Sequence, residues 1–290
     1  AFPVFGRHPS CQILNHNDNL IMIDCGEGTQ IQIGAHKIRK SKISHIFISH
    51  LHGDHCYGLP GLLTSYALQG RNKEMHLHGP IGIKAFIKAV FTASFVNLPY
   101  LLSINEYDAD QSTKITIGKH MAVTLFPLQH RVPTIGFRFD EVNISFNIIP
   151  EMITKHQLSV DEIKNAKLGI DINRKNETLP YSSLTYSKEK AKSYCYCSDT
   201  VYDPSIIKYI ENSSLLYHET TYLDDLEHLA KERMHSTLGQ AIKIAKAANI
   251  PRMITGHYSS RYNDVSIFAT QGKTLFDGLL IGEEGKNYSI

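Results

Sequence analysis

Three things are missing from this chain, and each absence removes a class of protein. No apolar run is long enough to cross a bilayer, and no basic stretch followed by an apolar core marks an export signal, so a cytoplasmic, non-membrane protein is expected. The five cysteines, Cys11, Cys25, Cys56, Cys195 and Cys197, are odd in number and lack framework spacing, which argues against a disulfide-built secreted scaffold. Charge excess is missing too: 30 Lys and Arg against 28 Asp and Glu leave +2, so any phosphate-binding surface has to be local. What remains is 290 residues with 42% hydrophobic content, enough for a sizeable core in one large domain or two small ones.

Candidate chemistry concentrates in His50-Leu51-His52-Gly53-Asp54-His55, three histidines and an aspartate within six positions. The apolar stretch 43–48 precedes it and the helix-compatible stretch 59–66 follows, which places the cluster at the C-terminal tip of a strand. Residues two apart in extended backbone share a face, so His50 and His52 can address one cation, while a turn at Gly53 re-aims Asp54 and His55 toward a second. Imidazole and carboxylate are the donors of catalytic zinc; structural zinc leans on thiolate pairs, which are absent here. Solvated or capping histidines are the plainer alternative, and four candidate ligands at one strand end weigh against it.

That run is the metal-binding signature of the metallo-β-lactamase superfamily, and the wider stretch 47–63 resembles its tRNA 3′-processing branch, ribonuclease Z. Further matches follow in order: Asp24-Cys25-Gly26-Glu27-Gly28-Thr29-Gln30, His130 after Pro127-Leu128-Gln129, Ser198-Asp199-Thr200, His218-Glu219-Thr220-Thr221-Tyr222, His235-Ser236-Thr237 and Gly256-His257. Ser198 stands where the family has glycine, and Thr220 where it has alanine. The resemblance implies an α/β fold, a four-layer αβ/βα sandwich in which each half of the chain supplies one sheet. It further implies one domain over 1–290, with an arm inserted at 141–192 that grips tRNA; the Gly-Pro tip usual in that arm is not in this segment.

By the same resemblance, His50, His52 and His130 hold one Zn²⁺, Asp54, His55 and His257 hold a second, and Asp199 bridges them, with Mn²⁺ as another possible occupant. Asp54 is expected to accept a proton from the attacking water. His235 would stabilise the phosphorus centre or protonate the leaving oxygen, with Glu219 fixing its tautomer. The implied substrate is precursor tRNA and the implied assembly a homodimer. A phosphodiesterase of small phosphodiesters on the same scaffold is the alternative that the metal ligands leave open.

Other residues carry two readings each. Arg7 fits phosphate contact or a surface salt bridge, with Phe5-Gly6 where the family has a lysine, and a strand normally precedes this point in the family. Asp24 fits orientation of metal-ligating histidines or the N-cap of a helix over 29–33. The basic run 36–42 fits a substrate rim or a solvated face. His76 and His78 alternate on a strand that is expected to contribute no ligands. Hairpins are expected at 11–14 with 20–24 and at 115–117 with 121–126, and a helix over 159–167 with Asp161 and Glu162 in its first turn.

Overall fold

A computed structural model describes residues 6–142, 146–175, 177–186 and 191–290. It divides into two compact units. One takes the chain up to residue 113 with 124–138 and 194–290; the other takes 114–123 and the described residues between 139 and 193.

In the larger unit a five-stranded sheet runs Gln12–His16, Asn19–Ile23, Ile43–Phe47, Met75–Pro80, Leu102–Tyr107 in spatial order. Its first two strands form the expected hairpin, with Asn17 and Asp18 at φ 51° and 63°, the left-handed pair that a tight two-residue turn requires. The remaining neighbours are parallel. The second sheet contains Leu279–Ile281, Met253–Gly256, Leu215–Glu219 and Ser193–Cys197 as adjacent parallel strands, followed by Thr134–Glu141 and Met121–Leu128.

Parallel strands covered on both faces read as near-continuous apolar runs, as Ile43 to Ile48 does. Met22, Ile46 and Leu77 pack one face of the first sheet against Ile33, Leu59, Leu62 and Leu63 of helices Thr29–Ala35 and Leu59–Leu68. Leu216, Met253 and Cys197 pack the second sheet against Ala241, Ile244 and Ala245 of helix Leu238–Ala247. The inner faces meet each other: the Phe47 and Phe137 rings lie 5.3 Å apart edge to face, and the Tyr196 hydroxyl donates to Asp24 at 2.6 Å. The result is helix, sheet, sheet, helix, the four layers that the sequence led us to expect. Each fully buried side chain of this core stabilises the fold by about 1.5–3 kcal/mol in transfer free energy.

The smaller unit holds a core of its own, Leu158, Ala166, Ile172, Leu179 and Leu184. The described residues of 141–192 belong to it. Helix Val160–Lys167 starts where expected: the Ser159 hydroxyl accepts from Glu162 N–H, and the Glu162 carboxylate accepts from Ser159 N–H. Arg174 then donates twice to Glu162, at 2.8 and 3.1 Å. Among the described residues no helix is long and apolar enough to cross a membrane.

Candidate metal centre

Parallel strands end together at one edge, and the larger unit gathers its polar side chains there. Past the end of Ile43–Phe47, His50 lies buried and His52 keeps extended backbone at φ −69° and ψ 147°, so both rings turn the same way. The chain then bends into the short helix Gly53–Cys56, which carries Asp54 and His55 in a second direction. Backbone bonds clamp this turn to the preceding loop: Cys25 N–H donates to His55 C=O at 2.8 Å and Gly58 N–H to Cys25 C=O at 2.9 Å. His130, Asp199 and His257 arrive from the ends of three strands of the second sheet.

These seven side chains sort into two groups of four donors that share Asp199. In the first, His50 Nε2 and His130 Nε2 lie 3.1 and 3.3 Å from His52 Nδ1, and 3.7 and 3.8 Å from Asp199 Oδ2. In the second, His55 Nε2 lies 3.5 Å from Asp54 Oδ2 and 3.6 Å from Asp199 Oδ1; His257 Nε2 lies 3.4 and 3.3 Å from the same two oxygens. A tetrahedral ion with bonds of about 2.0–2.1 Å sets its donors about 3.3–3.4 Å apart, so both groups have the spacing of a zinc site. His55 Nε2 and Asp199 Oδ1 are fully buried and make no hydrogen bond within the protein, a costly state that a shared cation relieves. The donor set and its geometry therefore fit two divalent ions.

What aims these donors is a set of hydrogen bonds behind them. Asp24 accepts from His55 Nδ1 at 2.8 Å and from the Ser49 hydroxyl at 3.0 Å; Ser49 Oγ in turn meets His50 Nδ1 at 3.0 Å. Glu219 repeats the pattern: it accepts from His235 Nδ1 at 2.9 Å and from the Thr221 hydroxyl at 2.7 Å, and Thr221 Oγ1 meets His257 Nδ1 at 2.9 Å. His130 Nδ1 donates to the Met234 carbonyl at 2.8 Å. In four of the five histidines of the two groups Nδ1 is thus engaged and Nε2 is presented to the group, the arrangement that orients imidazole for a metal.

Comparison with known proteins gives the lineage. Residues 19–177 match the family model described as a beta-lactamase superfamily domain. The chain is 40% identical over 291 aligned positions to the ribonuclease Z of Parabacteroides distasonis, covering 100% of this chain and 96% of that one. It is 36% identical to the ribonuclease Z of Bacteroides thetaiotaomicron, covering 100% and 92%. The chain belongs to the ribonuclease Z family of the metallo-β-lactamase superfamily. Among solved structures, human tRNase Z, short form, aligns with a TM-score of 0.72 at 26% identity, over 100% of this chain and 95% of that one.

Measured against the ribonuclease Z pattern, one departure has a local explanation and the residues with two readings find their places. Ser198, in the place of glycine, is buried and its hydroxyl lies 3.0 Å from Ser49 Oγ, which adds a partner to the hydroxyl that steadies His50. Asp24 is the orienting carboxylate and not a helix cap: Gly28, at φ 83°, occupies the N-cap of Thr29–Ala35, and no side chain caps that helix. Asp24 faces inward because its own backbone is left-handed, at φ 59°. Arg7 turns its guanidinium onto main-chain carbonyls, donating to Tyr262 at 2.8 Å and to Tyr258 and Ser259 at 3.5 Å. Within the basic run, Arg39 and Lys42 pair with Asp18 of the hairpin turn. His76 and His78 stack with His45 away from the two donor groups, and His78 continues to Tyr107 through a 3.0 Å hydrogen bond.

The electrostatics follow from burial and from neighbours. Burial, then the neighbouring His55, drives His50 well below its ordinary pKa; burial and the nearby His130 bring His52 down to about 4. Neutral imidazole is the form that binds metal. For Asp199, burial opposes ionisation, yet the surrounding histidines His257, His55 and His50 outweigh it and hold the carboxyl well below its usual range. His235 goes the other way: burial disfavours its charge, but the Glu219 carboxylate overrides burial and raises the pKa. Their surroundings thus favour the protonated form of His235 and the neutral forms of His50 and His52. Sequence reasoning did not single out Ser49, Thr221 or the Met234 carbonyl; the first two lie inside matched motifs, and a main-chain carbonyl carries no sequence signal.

Proposed function

We propose that the chain is a metal-dependent endoribonuclease that removes the 3′ trailer from precursor tRNA by hydrolysis just after the discriminator base. One observation carries the reading: the two donor groups and His235, which Glu219 backs from the buried side, open into the same cavity, which His52, Asp54, Asp199, His235 and His257 line together. A pair of divalent ions, zinc by donor chemistry, would supply Lewis acidity at the phosphate oxygens and acidify water near neutral pH.

The chain's own residues do the rest. Asp54, partly exposed to the cavity, accepts the proton of the attacking water as the water oxygen bonds to phosphorus. Glu219 holds His235 by Nδ1 and favours its charged form, and Nε2 passes a proton to the departing ribose 3′ oxygen as its bond to phosphorus breaks. The products are a tRNA 3′-hydroxyl and a trailer with a 5′-phosphate. Thr200 and Ser236 N–H donate to Glu219 at 3.2 and 2.9 Å and fix the carboxylate behind His235.

In this reading the smaller unit, with Tyr181 and the exposed Tyr186, serves as the RNA-gripping arm. The protein works as a cytoplasmic homodimer in which one subunit's arm serves the other's site, as in the resembled family. The deciding experiment incubates purified protein with a precursor tRNA carrying a 3′ trailer, beside an aryl phosphodiester. A single cut after the discriminator base, lost on chelation, is expected. Turnover of the small ester alone would favour a small-molecule phosphodiesterase and overturn the proposal.

A further inference from the structure

The cavity encloses about 610 Å³, and among its lining residues only Arg131 and Arg233 are permanent cations. Both guanidinium-bearing side chains are exposed, and among the described residues neither has an ion pair or a side-chain hydrogen bond. An arginine usually finds a carboxylate or a carbonyl, as Arg7, Arg39, Arg71 and Arg174 do here. Two unengaged ones lining one cavity are poised for an anion from outside.

Their backbones are not independent. Arg131 directly follows His130, and Arg233 directly precedes Met234, whose carbonyl accepts from His130 Nδ1 at 2.8 Å. That bond ties the loop after Met121–Leu128 to the end of helix Glu227–Arg233. Both arginines therefore stem from the same wall as His235, which is itself anchored by a 2.8 Å bond from its N–H to the Ala230 carbonyl.

We propose that Arg131 and Arg233 form a cradle for the phosphodiester one nucleotide to the 5′ side of the bond that is cut. The assignment rests on the proposed function. His235 gives its proton to the ribose oxygen of the nucleotide that stays on the tRNA, so the substrate passing along the His235 wall is that nucleotide and its own 5′ phosphate. A guanidinium fork matches a phosphate's paired oxygens better than a point charge does. Two forks on one bonded wall fix where this phosphate sits, and with it the distance to the bond that reaches the two donor groups.

The test uses the full chain loaded with zinc and a precursor RNA made with either the natural phosphate or a neutral methylphosphonate at that one position. Cleavage is measured as kcat/KM for the wild type, R131Q, R233Q and the double variant, and affinity in an H235A background that keeps the RNA intact. We expect each glutamine to weaken RNA affinity about tenfold, in keeping with one charged phosphate contact, and the salt dependence of log affinity to fall by about 0.7 per contact removed from a single strand. The methylphosphonate should cost the wild type about as much as the double substitution costs on natural RNA, and should cost the double variant nothing more. Zinc content and melting temperature should match the wild type.

Equal methylphosphonate losses in wild type and double variant overturn the cradle alone. So does unchanged affinity in the variants, or zinc loss from them, which would assign their effect to the fold. A wild type that leaves natural precursor uncut overturns the proposed function, and the cradle with it.

Discussion

Replacing Thr221 by valine keeps the size of the side chain and deletes one hydroxyl. That hydroxyl donates to Glu219 Oε2 at 2.7 Å, so its oxygen is left to accept from His257 Nδ1–H at 2.9 Å. Glu219 Oε2 keeps a second donor, the Thr221 N–H at 2.9 Å, and the carboxylate stays in place. His257 is the loser: its Nδ1 forfeits the Thr221 hydroxyl, so its tautomer and ring angle are held less firmly. Loss of a partner of this kind costs about 10–100-fold in metal affinity, equivalent to about 1.4–2.8 kcal/mol. Zinc affinity measured by competition with a chromophoric chelator should drop by that factor in T221V and return to within a few fold of wild type in T221S, which restores the hydroxyl. If T221V binds zinc as tightly as the wild type, or T221S fails to recover, the bridge from Glu219 to His257 has no positioning role.

The division of labour proposed for the site predicts that D54A loses metal and activity together, whereas H235A keeps two zincs per chain by elemental analysis while turnover collapses; equal metal loss in both would refute it. A methyl group on Gly58 would be driven into the Gly26 carbonyl, backbone against backbone, so G58A should unfold at several kcal/mol lower stability, of the order seen for severe overpacking; a chemical denaturation midpoint close to wild type would count against the close approach. Burial holds His45 down to about 4 and His78 down to about 3, while both titrate near 6.5 in an unfolded chain. Their contribution is therefore present above pH 6.5 and drains away as pH falls toward 4, by about 2 kcal/mol per imidazole between pH 7 and pH 5. Denaturation across that range should show a flatter pH dependence in the H45Q/H78Q double variant, and an unchanged slope would exclude the pair as its source.

Of the candidate donors, His50, His52, Asp54 and His55 were legible from strand geometry, since alternation places His50 beside His52 and a bend after Gly53 redirects Asp54 and His55; His130, Asp199 and His257 came from the motifs of the resembled family. The helix-compatible stretch 59–66 was legible as well, and the helix there runs over Leu59–Leu68. The connections behind the ligands were not legible. Ser49, Thr221 and the Met234 carbonyl act across sequence separations that no local pattern encodes, and the Asp24 carboxylate took its position from a left-handed backbone that propensity does not forecast. Arg7 shows the same limit, since its partners are main-chain carbonyls more than 250 positions away.

Asp199 offers one oxygen to each donor group, and every group mixes side chains from both sheets. Without cations, this seam brings five imidazoles and two carboxylates together, and contacts such as Tyr196 on Asp24 and Ser198 on Ser49 join the sheets beside it. Loading the ions thus amounts to a final cross-link between the halves of the sandwich, so chelation should unzip the mouth before it melts the core. A chain whose sheets have not met offers each group only two of its four donors, which makes full occupancy a built-in record that assembly is complete.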